Sequence, residues 1–93
     1  MRIVGNIEHP SLKITVFKND GRISVKFETS LYEQTFKFGD DERFSTFEGV
    51  QKMIDSPMIV KILEGFQQMH CTRLEMMART FPIQAEQVFE EII

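Results

Sequence analysis

The chain is poor in the residues from which small metal and redox sites are built. It has one cysteine, Cys71, and two histidines, His9 and His70, among 93 residues. A single cysteine cannot form an internal disulfide, and structural zinc sites need four ligands, mostly Cys and His. The sequence also lacks a glycine-rich phosphate loop and the motifs CxxC, HExxH and GxSxG. We therefore predict a non-enzymatic protein with no metal ion and no cofactor.

Long hydrophobic segments are missing as well. The longest apolar runs hold about three residues, whereas a helix that crosses a bilayer needs about 20. The opening stretch, MRIVGNIEHP, lacks the unbroken apolar core of a signal peptide. We expect a soluble cytoplasmic protein, and the lone cysteine agrees with a reducing compartment.

No linker, repeat or low-complexity tract divides the chain, so we predict a single domain over residues 1–93. Residues 1–38 hold six Lys or Arg against four acids, and residues 39–93 hold five against ten. The apolar periodicity changes from two to about 3.6 near the same point. We therefore assign a basic sheet to residues 1–38 and an acidic helical part to residues 45–93.

Alternating apolar residues predict antiparallel strands in the first part. A two-residue turn at Asp20-Gly21 would set Val16 opposite Val25, so that apolar side chains meet on one face. A second two-residue turn at Ser30-Leu31 would extend the same face into the next strand. A strand at the start of the chain would place three alternate residues on the same face, namely Ile3, Gly5 and Ile7.

Capping signals predict the helices. Ser45 and Glu48 have capping-box spacing, which predicts a helix over residues 46–54. Ser56 as N-cap with Pro57 in the first turn predicts a long helix that reaches Arg79. A last helix follows from an apolar repeat at Ala85, Val88, Phe89 and Ile92. The expected fold is α+β: a four-stranded antiparallel meander followed by three helices, with the long helix packed on one face of the sheet.

The long helix has more apolar surface than one sheet requires. Residues 57–79 as a helix span about 35 Å, while seven-residue strands span about 23 Å. If the part from Ile59 to Phe66 packs on the sheet, the rest overhangs, unless the last helix folds back or a second copy covers it. A chain this small buries only about 60–65% of its unfolded surface, so a partner would help. We predict a protein-interaction module, a homodimer or a binder of another protein, with these interface residues: Met69, His70, Arg73, Met76 and Met77.

Two of these interface residues, His70 and Arg73, have a plainer interpretation. They could face solvent beyond the sheet or be satisfied inside the domain's own core. Gln34 is also a polar residue at an apolar position, because it alternates with Tyr32 and Phe36 on the side of its strand that faces the core. A buried amide needs a partner, so Gln34 would bond the Tyr32 hydroxyl, a helix end or water, or lie at an open sheet end.

The solvent face of the sheet suggests an alternative function. Basic groups around an outward aromatic ring could hold a phosphate backbone and stack a base of single-stranded nucleic acid. Glu28 and Glu33 on the same face, and the acidic balance of the chain, favour an ordinary solvated surface instead. The residues of this alternative are Phe17, Lys18, Arg22, Lys26 and Lys37. A third reading is a small enzyme or metal protein that uses His9 or His70.

Several segments resemble an uncharacterised family of small proteins from Bacteroidetes-type bacteria. These are Gly5, His9-Pro10, residues 13–17, residues 26–28 and residues 33–38. The resemblance covers the sheet, less than half of the chain, and does not extend to the helices. It implies a bacterial cytoplasmic protein and transfers no activity.

Overall fold

The computed structural model describes residues 2–39 and 41–81. Its elements are β1 (Arg2–Ile7), β2 (Lys13–Asn19), β3 (Arg22–Glu28), β4 (Glu33–Lys37), a 3-10 turn (Glu42–Phe44), α1 (Phe47–Met53) and α2 (Ser56–Thr80). The strands form one antiparallel sheet in the order β1-β2-β3-β4. The α+β class and the four-stranded meander are confirmed. The described residues contain two α-helices rather than three, because the predicted last helix lies outside them.

The β2–β3 hairpin has the predicted register. Val16 pairs with Val25, and the two-residue turn between the strands has positive φ angles of 52° at Asp20 and 78° at Gly21. Two left-handed residues give the turn a twist that matches the twist of the strands. In the next hairpin Val25 pairs with Phe36, again as predicted. The apolar faces of β2 and β3 are therefore aligned by local turn chemistry.

The left-handed backbone at Gly21 leads to a stability prediction. We expect Gly21→Ala to lower the free energy of unfolding by about 1 kcal/mol, because a Cβ is disfavoured at this φ. Gly39→Ala is the control, since Gly39 has no such φ and no atom lies near its would-be Cβ. Urea unfolding followed by circular dichroism measures both variants. Equal midpoints would contradict the assignment of strain to the turn.

Ile3 of β1 faces the opposite side of the sheet from the one predicted. The β1–β2 register shifts between Ile3 and Gly5, so Ile3 pairs with Phe17 while Gly5 pairs with Val16. Val4 is the extra residue of a β-bulge, and a bulge reverses the faces on its two sides. Ile3 consequently lies on the outer face with Phe17, 61% exposed, instead of in the core.

The core lies between the sheet and the two helices. The strands supply most of it, α1 supplies Val50, and α2 supplies Ile62 and Phe66. The fully buried apolar residues are Leu12, Ile14, Val16, Ile23, Val25, Phe27, Val50, Ile62 and Phe66. Packing of the long helix on one face of the sheet is therefore observed as predicted.

Both predicted N-caps are one residue away from the observed ones. Thr46, not Ser45, caps α1, and its hydroxyl accepts a hydrogen bond from the Gly49 N–H at 3.1 Å. The Ser45 hydroxyl instead donates to the Glu42 carbonyl at the end of the 3-10 turn. At α2 the cap is Asp55, whose carboxylate accepts from Met58, while Ser56 is already helical.

The acidic segment before α1 is an ordered turn. Asp41 caps the 3-10 turn by accepting from the Arg43 N–H at 2.8 Å, and its carboxylate also pairs with the Arg43 guanidinium at 2.7 Å. These hydrogen bonds from Arg43 hold the pKa of Asp41 at about 2. The Asp41 carboxylate is therefore satisfied by Arg43, and the turn does not require a bound cation.

Candidate interaction surface at β4 and the long helix

The contacts of α2 with β4 end at a tyrosine–histidine pair. The Tyr32 hydroxyl lies 2.9 Å from Nδ1 of His70, and the two rings meet edge to face with centroids 5.9 Å apart. Both residues are half-buried. His70 is therefore occupied by a structural contact, which was the plainer of its two interpretations.

About two turns earlier along α2, Gln34 joins β4 to the backbone of the helix. Its amide donates to the Ile62 carbonyl at 2.9 Å, in the middle of the helix rather than at an end. Gly65 makes the approach possible, because a Cβ there would lie 2.9 Å from the Gln34 amide nitrogen. The structural interpretation of Gln34 stands, with a partner that its sequence neighbours do not reveal.

Beyond His70 the helix continues past the sheet. Residues 71–80 add about 15 Å beyond the Tyr32–His70 hydrogen bond. The radius of gyration, 16.1 Å, exceeds the roughly 12 Å expected for a compact chain of this length. Within this segment Met76 is 61% exposed, and Phe81, just after the helix, is 70% exposed. We refer to residues 71–81 as the overhang.

The predicted interface residues divide between two environments. Met69 packs against the core and His70 bonds to Tyr32, so both belong to the contact between helix and sheet. Arg73 and Met77 are half-buried, and only Met76 of the five is well exposed. The overhang therefore starts one turn later than the sequence indicated.

A second exposed apolar strip of α2 was missed. The sequence assigned the part from Ile59 to Phe66 to the sheet, but within it Leu63 is 37% exposed and Val60 is exposed beside it. Together with Cys71 they line a shallow groove of about 610 Å³. The buried side is centred between Ile62 and Phe66, about 40° away from Ile59 around the helix axis.

Lys26, which lies over the Phe17 ring on the outer sheet face, is already paired with carboxylates. The Lys26 ammonium lies 3.4 Å from Glu28 and 3.9 Å from Glu33, and it sits over the Phe17 ring at 5.4 Å. Its charge is thus already balanced by two carboxylates, which weighs against phosphate binding. Lys37 shares this face, two strands from Phe17.

The other two residues of that alternative lie on different faces of the sheet. Lys18 pairs with Ile23, whose side chain is in the core, so Lys18 has the parity of the opposite face. Arg22 pairs with Asn19, two positions along from the Phe17–Ser24 pair, so it has the parity of the outer face, at the turn end of the sheet. The structure therefore places four of the five residues on the outer face and Lys18 on the other.

The two histidines are far from forming a joint site. His9 accepts a hydrogen bond from the Ser11 N–H at 3.1 Å and lines an open depression of about 740 Å³ with Glu8 and Lys13. His70 is on the α2 side of β4. In residues 2–39 and 41–81, no three His, Cys, Asp or Glu residues are grouped so that they could hold a metal ion.

The outer edge of β4 was not considered in the sequence analysis, although the meander order predicts it. No described strand pairs with this edge. Three residues, Glu33, Thr35 and Lys37, are exposed along it, and Phe36 between them is 42% exposed. Phe36 also borders an apolar cavity of about 120 Å³ that opens beside Met58. A free strand edge therefore runs beside α2, from Glu33 near the Tyr32–His70 contact to Phe36 near Met58.

Comparison with protein-family models, with curated proteins and with solved structures finds no match for this chain. Among the residues that the structure describes, no helix is long and apolar enough to cross a membrane. The function must therefore be argued from the surface itself.

Proposed function

We propose that this protein is a non-enzymatic interaction module that forms a homodimer through the overhang of α2. The observation that carries the proposal is that α2 continues about 15 Å beyond the Tyr32–His70 hydrogen bond and presents a large exposed apolar side chain there, Met76. A helix end of this kind gains stability when another surface covers it.

The chemistry of the overhang fits a protein partner. Methionine is flexible and polarizable, so Met76 and Met77 can adapt to a partner surface. Arg73 lies on the same segment, and arginine is enriched at interfaces. A second copy is the simplest partner, since most soluble oligomers are homo-oligomers with two-fold symmetry.

The small core supports the same proposal. Nine apolar residues are fully buried in the part of the chain that the structure describes, and only two of them come from the 25-residue helix α2. Burying the overhang between copies would cover exposed apolar surface at the end of the longest element. The proposal places the dimer in a reducing bacterial cytoplasm, where the exposed thiol of Cys71 would stay unpaired.

The oligomeric state tests the proposal. We expect light scattering after size exclusion to give a dimer at about 100 µM, well above the micromolar Kd of a functional dimer. Met76→Glu should raise that Kd at least tenfold, because it places a charge in the apolar contact. Gln67→Glu is the control, since it adds the same charge at an exposed position of α2 before the overhang. A wild-type monomer at this concentration would refute the proposal.

A further inference from the structure

The outward hydrogen-bonding groups of β4 come from three alternate residues. The Thr29 N–H donates to the Tyr32 carbonyl at 2.9 Å and the Phe38 N–H donates to the Ile23 carbonyl at 2.8 Å. In an antiparallel ladder such bonded pairs recur at every second residue, so Gln34 and Phe36 also turn their main chains toward β3. The N–H and C=O groups of the alternate residues point away from the sheet; these are Glu33, Thr35 and Lys37.

This edge differs from the opposite edge of the sheet. β1 is interrupted by the bulge at Val4 and is followed by Pro10, two features that discourage another strand from pairing there. The β3–β4 register, in contrast, is continuous from Glu33 to Lys37. Of the two edges in the described sheet, β4 is the one built to accept a strand.

The charges of β4 are complementary to the charges of the same strand run in the opposite direction. If two copies pair antiparallel about a two-fold axis at Thr35, Glu33 of each copy faces Lys37 of the other. All three outward residues then form bonded pairs. Moving the axis to residue 33 or 37 would set like charges against each other and would leave fewer backbone groups paired.

We propose that the partner of the β4 edge is β4 of a second copy, in the register centred on Thr35, which joins the two sheets into one of eight strands. This inference deepens the proposed function, on which it rests, by naming the contact that fixes the geometry of the dimer. Phe36, 42% exposed in the single chain, then lies opposite Gln34 of the second copy. The start of the overhang adjoins the Glu33 end of this seam, because His70 is bonded to Tyr32, the residue before β4.

Charge exchange tests the register. We expect Glu33→Lys alone and Lys37→Glu alone each to raise the dimer Kd about tenfold, since each variant sets like charges together at both ends of the seam. The double variant should return to the wild-type Kd. An equimolar mixture of the two single variants should form heterodimers in preference to either homodimer, because both of its charge pairs are again opposite.

Controls separate this inference from the proposed function. Lys13→Glu makes the same charge change on β2, away from the edge, and should leave the Kd unchanged. If the protein is a dimer that Met76→Glu weakens but the β4 variants do not, the edge inference fails and the proposed function survives. If the wild-type protein is a monomer, both fail.

A proline at the centre of the edge provides a test that does not depend on charge. Thr35→Pro removes an N–H that points away from β3, so the β3–β4 ladder loses no bond, while a strand added at the edge would. We expect a rise in dimer Kd of at least tenfold, with circular dichroism unchanged. Thr35→Val keeps the N–H and should dimerise like the wild type. Equal Kd values for the two variants would overturn the inference.

Discussion

Replacing Phe66 by alanine is expected to lower the free energy of unfolding by about 3–5 kcal/mol. Phe66 is 1% exposed and, with Phe27, is one of the two largest buried side chains among the described residues. A domain of this size has a total stability of about 5–14 kcal/mol, so the variant would lose a large share of it.

The size of the effect follows from the position of Phe66. Ile62 and Phe66 are the only fully buried residues of α2 among those the structure describes, so Phe66 supplies about half of the helix's anchorage in the core. Its removal leaves a cavity between α2 and the strands that a 25-residue helix cannot collapse to fill without moving its other contacts. The Tyr32–His70 and Gln34–Ile62 hydrogen bonds would then be strained as well.

Urea unfolding of the Phe66→Ala variant measures the prediction. Gln67→Ala is the matched control, since Gln67 is the next residue of the same helix and is exposed, and it should change stability by less than about 0.5 kcal/mol. A loss below about 1 kcal/mol for Phe66→Ala would mean that α2 is not held in the core by this residue.

The hairpin registers were predictable because two independent local signals agree there. The alternation of apolar residues fixes which face each side chain takes, and the Asp20-Gly21 turn fixes which residues are opposite. When the strands are sequential neighbours, the edge position of β4 follows as well. Its self-complementary charges are therefore readable from five letters of sequence, EQTFK, once the register is known.

Neither the helix caps nor the bulge could be predicted, and the physical reason differs between the two. Ser45-Thr46 and Asp55-Ser56 are each two adjacent residues that can cap a helix, and the choice between them depends on the preceding turn, not on the helix. The bulge at Val4 is a change of backbone register, which places no requirement on the side chain of Val4 itself.

The contacts that hold α2 depend on pairs distant in sequence. Gln34 reaches the Ile62 carbonyl because Gly65 is small enough to let it pass, and Tyr32 meets His70 38 positions along the chain. The spacing of apolar residues along a helix gives only the angle of each side chain around the helix axis. It does not show how far along the helix the sheet extends. For this reason His70 was assigned to the exposed interface, although it belongs to the helix–sheet contact.

The second large effect is expected at Gly5, where strand propensity and structure predict opposite signs. Valine favours strands, so propensity alone predicts that Gly5→Val stabilises the protein by up to about 1 kcal/mol. In the structure, however, a Cβ at Gly5 would lie 2.6 Å from the Phe47 ring, which is packed against the core. We expect a net destabilisation of about 1–3 kcal/mol, because the ring and the start of α1 must move away from β1.

A double-mutant cycle identifies the cause of the Gly5 effect. Phe47→Ala removes the ring, so Gly5→Val should cost much less in that background, with a coupling energy of at least about 1 kcal/mol. Asn6→Val is the control on the same strand, because Asn6 is exposed on the outer face and should follow propensity instead. If Gly5→Val and Asn6→Val both stabilise the protein, Phe47 does not pack over β1.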